Sequence, residues 1–182
     1  NGNLVAVDDP RLDPLWRMAA RWRLPVSIHV ADPRAFWLPL NHNNERWDEL
    51  SVHPSWSYAS RQDVPSWQAL LDAAERLYGR HPKTTFVAVH FGNAGEDLGR
   101  VDQMLDRHGN VWIDLAARFG EFGRHPPAEV RKFFIKHQNR ILFATDIGVS
   151  DDYLMLGSNG EKIPEMKDVV PFYNAHFRYL ET

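Results

Sequence analysis

Apolar residues recur along the chain in two alternating patterns. Four stretches have apolar positions three or four residues apart, which is the spacing of an amphipathic helix. These stretches are 13–22, 66–79, 98–105 and 126–134. Each is followed by a short, nearly continuous apolar run, which is typical of a buried strand, and these runs are 26–30, 85–90, 110–116 and 140–145. Four helix-then-strand units predict a parallel sheet covered by helices.

Capping and turn residues mark the predicted helix boundaries. Asp13 is expected to cap the first helix, with Pro14 in its first turn, because a carboxylate can accept hydrogen bonds from the free N–H groups there. The second helix is predicted to begin at Ser66, and the fourth at Pro126 and Pro127. A last helix with an aromatic face is predicted over 168–182, packed on the outside of the sheet.

Polar residues lie at or near the ends of the predicted strands. His29 is near the end of the first, His90 closes the second, Asp114 and Arg118 go with the third, and Asp146 closes the fourth. An open doubly wound sheet and a (β/α) barrel both fit the pattern. In either architecture the carboxyl ends of parallel strands face one common site, so these side chains are expected to converge.

The types of these residues point to metal chemistry. No strand is followed by G-x-G-x-x-G, and neither a P-loop nor a G-x-S-x-G nucleophile elbow occurs. The chain has no cysteine, which excludes disulfides and thiolate ligands. Imidazole and carboxylate groups suit a divalent cation such as zinc, manganese, magnesium or iron. A metal held in this way activates water and polarises carbonyl groups, which predicts hydrolytic chemistry.

Composition and charge narrow the class of protein. The chain has 182 residues, of which 43% are hydrophobic and 25% charged, so a single globular domain over 1–182 is expected. A net charge of -3 and a pI near 6.3 predict no binding to nucleic acid or to an anionic membrane. No apolar run reaches membrane-spanning length, so we expect a soluble, cytoplasmic protein. The first residue is Asn rather than Met, so further residues are expected upstream.

Four segments together resemble a known family. "LPVSIHVADP", "FVAVHFGNAGEDL", "VWIDLAAR" and "ILFATDIGV" are similar to the later strands of the amidohydrolase superfamily, in particular the amidohydrolase-related branch with the aminocarboxymuconate semialdehyde decarboxylase-like enzymes. The resemblance runs over essentially the whole chain. It implies one divalent metal, with zinc favoured over manganese, magnesium and iron, and His29 as a ligand of this metal. It implies that His90 is a general acid or base, and that Asp146 is a ligand that also accepts a proton from bound water.

The chain also departs from that family's pattern. The family's first strand carries an H-x-H pair that completes the metal site, and no H-x-H occurs here. Four strands also fall short of the eight in a complete barrel. The expected fold is therefore a partial (β/α)8 TIM-type barrel that holds strands five to eight. Its open edges would be covered by another barrel half or by a second copy of the chain.

The segment 31–65 is long for a connection between a strand and a helix. We interpret it as an aromatic loop over the active-site end, although its rings could instead form a small satellite core. From this segment Trp37 is predicted to contact a small-molecule substrate, as are Arg118 and Asn93. His42 and His53 are poorer candidates because no rigid element fixes them. The segment's aromatic and histidine residues are Phe36, Trp37, His42, Trp47, His53, Trp56 and Tyr58.

Structural alternatives stand beside these roles. His29 could be a hydrogen-bonded structural residue, and His90 could cap the turn that follows its strand. Asp146 could be the N-cap of a following helical turn. A surface ion pair would account for Arg118, and a structural use is favoured for Asp114.

Three functional hypotheses follow from the sequence. The first is a mononuclear metal-dependent hydrolase acting on an amide, ester or lactone, with His90 and Asp146 moving protons. The second uses the same residues for non-oxidative decarboxylation of an aromatic or enoic acid, with a larger role for Arg118. The third is an inactive fragment that folds only by association.

Overall fold

The computed structural model describes residues 4–151, 153–157 and 163–181. Its helices are α1 (Asp13–Trp22), α2 (Trp47–Val52), α3 (Trp67–Arg80), the single turn α4 (Val89–Gly92), α5 (Leu98–Arg107), α6 (Phe119–Phe122), α7 (Pro127–His137) and α8 (Met166–Glu181). Its strands are β1 (Val26–Ile28), β2 (Phe86–Ala88), β3 (Val111–Asp114), β4 (Ile141–Leu142), β5 (Ile147–Ser150) and β6 (Tyr153–Leu156).

The first four strands form one parallel sheet in the order β1-β2-β3-β4. Each strand pairs with the strand that precedes or follows it in this part of the chain, and a helix lies between each pair. A doubly wound sheet would instead reverse its strand order at a switch point. Consecutive order is the arrangement of a (β/α) barrel. The predicted α/β architecture of TIM-barrel type is thus confirmed, here as four strand-helix units.

Buried side chains fill the space between the sheet and its helices. Phe86 and Ile113 from the sheet are fully buried with Leu77 of α3 and Leu105 of α5. Ser66 caps α3 as predicted, since its hydroxyl accepts a hydrogen bond from the Ala69 N–H at 3.2 Å. The periodic apolar positions of α3 and α5 therefore form the core that fixes the strand ends, whereas Leu15, Met18 and Trp22 of α1 are exposed.

The strands are shorter than the apolar runs predicted. Beyond β2 and β4 the backbone enters left-handed conformations at His90 (φ 55°) and Asp146 (φ 61°), and beyond β3 it does so at Ala117 (φ 54°). A left-handed residue cannot continue a strand. The left-handed residue lies inside the apolar run at His90 and directly after the run at Ala117 and Asp146, so the chain turns over the end of the sheet at these three places.

Asp13 does not cap α1. It lies inside the helix, whose N-cap position is Leu12, and Asp9 caps the preceding 3-10 turn instead. The Asp13 carboxylate lies 2.9 Å from His81 Nε2 and 3.0 Å from Arg80 Nη2. It joins the start of α1 to the end of α3, so the predicted cap is wrong.

An antiparallel hairpin of β5 and β6 follows the parallel sheet and was not predicted. The Gly157 N–H donates to the Asp146 carbonyl at 3.1 Å and closes the base of the hairpin. The predicted last helix is present as α8, with Thr182 outside the described residues. Its aromatic face packs on α6, with the His176 ring 4.0 Å from that of Phe119. No helix in the described ranges is long and apolar enough to cross a bilayer.

Candidate active site

Side chains from three strand ends line one cavity at the carboxyl end of the parallel sheet. The cavity has a volume of about 340 Å³, and we call it the site cavity. His29 follows β1, His90 follows β2 and Asp146 follows β4, and all three line it together with Arg118. These four residues thus lie together at the strand ends, as the sequence predicts.

His29 extends from the end of β1 with its side chain 47% exposed. Its ring packs edge-on against the ring of His90, with centroids 4.9 Å apart. Partial burial lowers the pKa of His29, and the neighbouring His90 lowers it further. A neutral imidazole at neutral pH offers a nitrogen lone pair, which is what a metal ligand requires.

Backbone geometry and two hydrogen bonds fix His90. Its N–H donates to Asp114 Oδ1 at 2.8 Å, and the same oxygen accepts from the Ala116 N–H at 3.1 Å. His90 Nδ1 lies 3.0 Å from the Ala116 carbonyl oxygen. Because a carbonyl can only accept, Nδ1 carries the proton, and Nε2 is left as the nitrogen that can exchange one. Asp114 thus has the structural role that was favoured for it.

Asp146 stands at the turn between β4 and β5. Its left-handed backbone is held by the hydrogen bond from Gly157 to its carbonyl, and its side chain lines the site cavity. The segment that follows is a strand, so Asp146 is not the N-cap of a helical turn. The carboxylate is available to the cavity as an oxygen ligand or a proton acceptor.

Arg118 is the most deeply buried cation of the site, with 4% of its surface exposed. Its Nη1 donates to the Ala117 carbonyl at 3.0 Å, while Nε has no hydrogen-bond partner. Burial lowers its pKa, although arginine keeps its charge in proteins. A Cβ on Gly95 would lie only 3.3 Å from Arg118 Cδ, so the absence of a side chain there makes room for the guanidinium arm. This burial rules out a surface ion pair.

The segment 31–65 supplies much of the remaining wall. Phe36, Trp56 and Tyr58 line the site cavity. Arg46, the N-cap residue of α2, and Glu49 within α2 line it as well. Arg46 forms ion pairs with Glu49 and with the buried Glu121 of α6. The pair with Glu121 ties the segment to α6.

Asp32 is a cavity residue that sequence reasoning missed. Its Oδ1 lies 3.8 Å from His29 Nε2, and its Oδ2 accepts a hydrogen bond from the Tyr58 hydroxyl at 2.8 Å. A carboxylate beside a metal-ligating imidazole is a common means of orienting the ring. Its position three residues after His29, in "HVADP", was the signal in the sequence.

Trp37 and Asn93 do not line the site cavity. Trp37 Nε1 donates to the Pro65 carbonyl at 3.0 Å, and its ring borders a neighbouring cavity. Asn93 is 1% exposed, and its Oδ1 accepts from the Val30 N–H at 3.1 Å, which joins the ends of β1 and β2. Substrate contacts by these two residues stay predictions. The His42 ring lies tilted against that of Trp47, and the His53 ring stacks on that of Trp56.

The donor set at the site cavity fits a divalent metal. His29 offers an imidazole whose pKa is lowered, and Asp146 offers a carboxylate that offsets part of the ion's charge. These two groups supply fewer than the three protein ligands of a typical catalytic zinc site, so further ligands would have to come from other residues.

A second group of imidazole and carboxylate side chains lies between α5 and α7. Ligand atoms of Asp102, Asp106 and His137 are all within 4.8 Å of one another. Lys136 Nζ lies 2.7 Å from both carboxylates, and His137 Nε2 lies 2.7 Å from Asp102. Because Lys136 contacts both acids and His137 contacts Asp102, the cluster forms an ion-pair network that joins the two helices.

Comparison with protein families identifies the chain. The amidohydrolase family model matches residues 2–160, which is most of the sequence. The chain belongs to the amidohydrolase family. The resemblance drawn from the strand-end motifs is therefore confirmed. Comparison with curated proteins found no match.

Several solved structures are similar to this amidohydrolase chain. An uncharacterised TIM-barrel protein of Bordetella bronchiseptica is 17% identical, with a TM-score of 0.45 over 77% of this chain and 39% of that one. The 2,6-dihydroxybenzoate decarboxylase of Rhizobium is 19% identical, with a TM-score of 0.44 over 78% and 46%. A Polaromonas dihydroxybenzoic acid decarboxylase with bound manganese and the inhibitor 2-nitroresorcinol is 12% identical, with a TM-score of 0.46 over 93% and 49%. The chain spans less than half the length of each.

Proposed function

We propose that the protein containing this chain is a metal-dependent hydrolase that attacks an amide, ester or lactone carbonyl. One observation carries the proposal: His29, His90 and Asp146 come from three different strand ends and line a single cavity. Their side chains combine a metal-ligating imidazole, a proton-transferring imidazole and a carboxylate. The substrate would be a small molecule, since the cavity holds about 340 Å³.

His29 and Asp146 would hold the metal together with further ligands. When bound, a divalent ion supplies a Lewis acid and lowers the pKa of a water molecule in its coordination sphere. Asp146 would accept a proton as the water attacks the carbonyl carbon. His90, with Nδ1 donating to the Ala116 carbonyl, would take the second proton of the attacking water at its unprotonated Nε2 and deliver it to the leaving nitrogen or oxygen.

Non-oxidative decarboxylation is the second candidate, and Arg118 favours it. A buried guanidinium with an unpartnered Nε at the cavity is suited to bind a substrate carboxylate. In that reaction the bond between the carboxylate carbon and its neighbour breaks, and the electron pair stays on the neighbouring carbon. His90 would protonate that carbon as carbon dioxide leaves.

A substrate panel tests both candidates on the full-length protein loaded with zinc or manganese. 4-Nitrophenyl acetate, acetanilide and γ-butyrolactone probe hydrolysis, while 2,6-dihydroxybenzoate probes decarboxylation through release of carbon dioxide. Asp146→Asn is expected to lower kcat/KM by about 100-fold or more and to weaken metal binding in calorimetry, since an acid-base group contributes about 10²–10⁴-fold. Asp151→Asn, the same chemical change in the β5-β6 hairpin, should leave both unchanged.

The outcomes separate the candidates. Turnover of the esters, amide or lactone without carbon dioxide supports the hydrolase, and release of carbon dioxide alone supports the decarboxylase. Full activity of Asp146→Asn would contradict both, because each places this carboxylate on the metal.

A further inference from the structure

A second cavity adjoins the site cavity. It has a volume of about 880 Å³, and we call it the side cavity. Three residues, His29, Asp32 and Tyr58, line both cavities. The two spaces therefore lie on either side of a shared wall, and one face of that wall is the candidate reaction centre.

Tyr58 is the largest side chain of the shared wall, and several contacts hold it. Its hydroxyl donates to Asp32 Oδ2 at 2.8 Å, and its backbone N–H donates to the Phe36 carbonyl at 2.7 Å. Its ring lies 4.6 Å from the ring of Trp37, and the Arg61 guanidinium lies 5.7 Å above it. A ring restrained at its hydroxyl, its backbone and its face is a fixed partition.

Apolar and polar residues share the lining of the side cavity. Trp37, Val64 and Leu70 form an apolar side of it, while Arg61, the only arginine among the described lining residues, is paired with Asp63 at 2.7 Å. The apolar side is suited to hold an apolar group.

We propose that Tyr58 is a specificity-determining residue that separates the two cavities and restricts the enzyme to compact substrates. With Tyr58 in place, a molecule whose reacting group lies beside His29 and His90 ends within the site cavity. Without the ring, the two cavities join, and an apolar tail can extend past Asp32 into the side cavity. The inference rests on the proposed function, which places the reacting carbonyl or carboxyl group in the site cavity.

Straight-chain carboxylates from acetate to decanoate are the probes for this partition. Their affinities would be measured by calorimetry on the full-length, manganese-loaded protein, so the readout does not require turnover. In the wild-type protein, affinity is expected to level off at a short chain length. In Tyr58→Ala it is expected to keep rising by about fourfold for each added methylene, because each buried methylene contributes about 0.8 kcal/mol.

Two further variants make the test specific. His42→Ala lies in the same segment, and its side chain lines neither cavity, so its chain-length profile should match the wild type. Tyr58→Leu keeps an apolar contact with Trp37 and should give an intermediate profile even if Tyr58→Ala fails to fold, which circular dichroism would reveal.

Two results would overturn the inference in different ways. In the first, short carboxylates bind in a metal-dependent way, but the chain-length profile is the same in wild type, Tyr58→Ala and Tyr58→Leu. This result would show that Tyr58 does not separate the cavities, and it would not contradict the proposed function. Full activity of Asp146→Asn would overturn the proposed function, and the partition with it, because the reacting group would then not lie in the site cavity.

Discussion

Individual residues at the strand ends accept backbone conformations that side chains disfavour. His90, Ala117 and Asp146 all have φ between 54° and 61°, where glycine would be the ordinary choice. Each such residue costs about 1–2 kcal/mol and persists because its surroundings hold it. At His90 the holding group is Asp114, which receives two backbone N–H groups on one oxygen.

Removal of the Asp114 carboxylate tests that support. Asp114→Ala leaves the N–H groups of His90 and Ala116 without their acceptor, and each unsatisfied buried group costs about 1–3 kcal/mol. We expect the free energy of unfolding in urea to fall by about 2–4 kcal/mol. Asp114→Asn, which keeps an acceptor oxygen, should lose less.

An exposed acid serves as the control for the Asp114 experiment. Asp106→Ala removes one carboxylate from the ion pairs of Lys136 and should change the free energy of unfolding by less than about 1 kcal/mol. An equal loss in Asp114→Ala and Asp106→Ala would show that Asp114 does not support the turn.

Helices and strands are the level at which the sequence was most informative. The apolar spacing predicts α1, α3, α5, α7 and all four parallel strands. In α1 the predicted apolar face is mostly exposed, since Leu15, Met18 and Trp22 lie at the surface. Strand ends were predicted too long, since the left-handed turns depend on hydrogen bonds from distant residues such as Asp114. The β5-β6 hairpin was missed although "IGVS" and "YLML" flank a turn.

Some residues of the candidate site could likewise be predicted from the sequence, and others could not. His29, His90, Arg118 and Asp146 could be found because strand ends of a parallel sheet converge by topology. The Arg46 ion pairs could not be placed, because their positions follow from the path of the 31–65 segment, which has no periodic pattern. Asp32 had its spacing from His29 as its one signal in the sequence. Asn93 was assigned from its place after His90, and only the fold shows it buried.

The N-cap of α3 gives a test at this level. Ser66→Ala removes the hydroxyl that accepts from the Ala69 N–H and should lower the free energy of unfolding by about 1 kcal/mol. Urea denaturation followed by circular dichroism measures the change. Ser60→Ala, in an exposed turn before the helix, is the control, and an effect as large as that of Ser66→Ala would contradict the cap.

The whole molecule exposes apolar surface beside the edge of its parallel sheet. Leu142 of β4 is 39% exposed, and Phe143 beyond it is 44% exposed. Leu142, Phe143 and their neighbours adjoin an apolar groove of about 600 Å³ that includes Phe134 and Ile141. An open strand edge with apolar side chains favours pairing with another strand.

Self-association of the 182-residue chain is the expected result. Sedimentation velocity should show a mass that rises with protein concentration, and Leu142→Lys should reduce the rise because a charge on an edge strand disfavours pairing. Leu15→Lys, the same substitution on an exposed face of α1, should leave it unchanged. A constant monomer mass, or equal effects of the two variants, would contradict the role of the edge.

The order of the parallel strands also bears on how the chain folds as it is synthesised. Each strand after β1 pairs with the strand that was synthesised just before it. In the described parallel sheet, every strand from β2 to β4 therefore finds its first partner already present. Sheet growth can therefore keep pace with the ribosome, unit by unit, from β1 to β4. Asp146 follows the last of these strands, so the reaction centre would be assembled only after the sheet beneath it is complete.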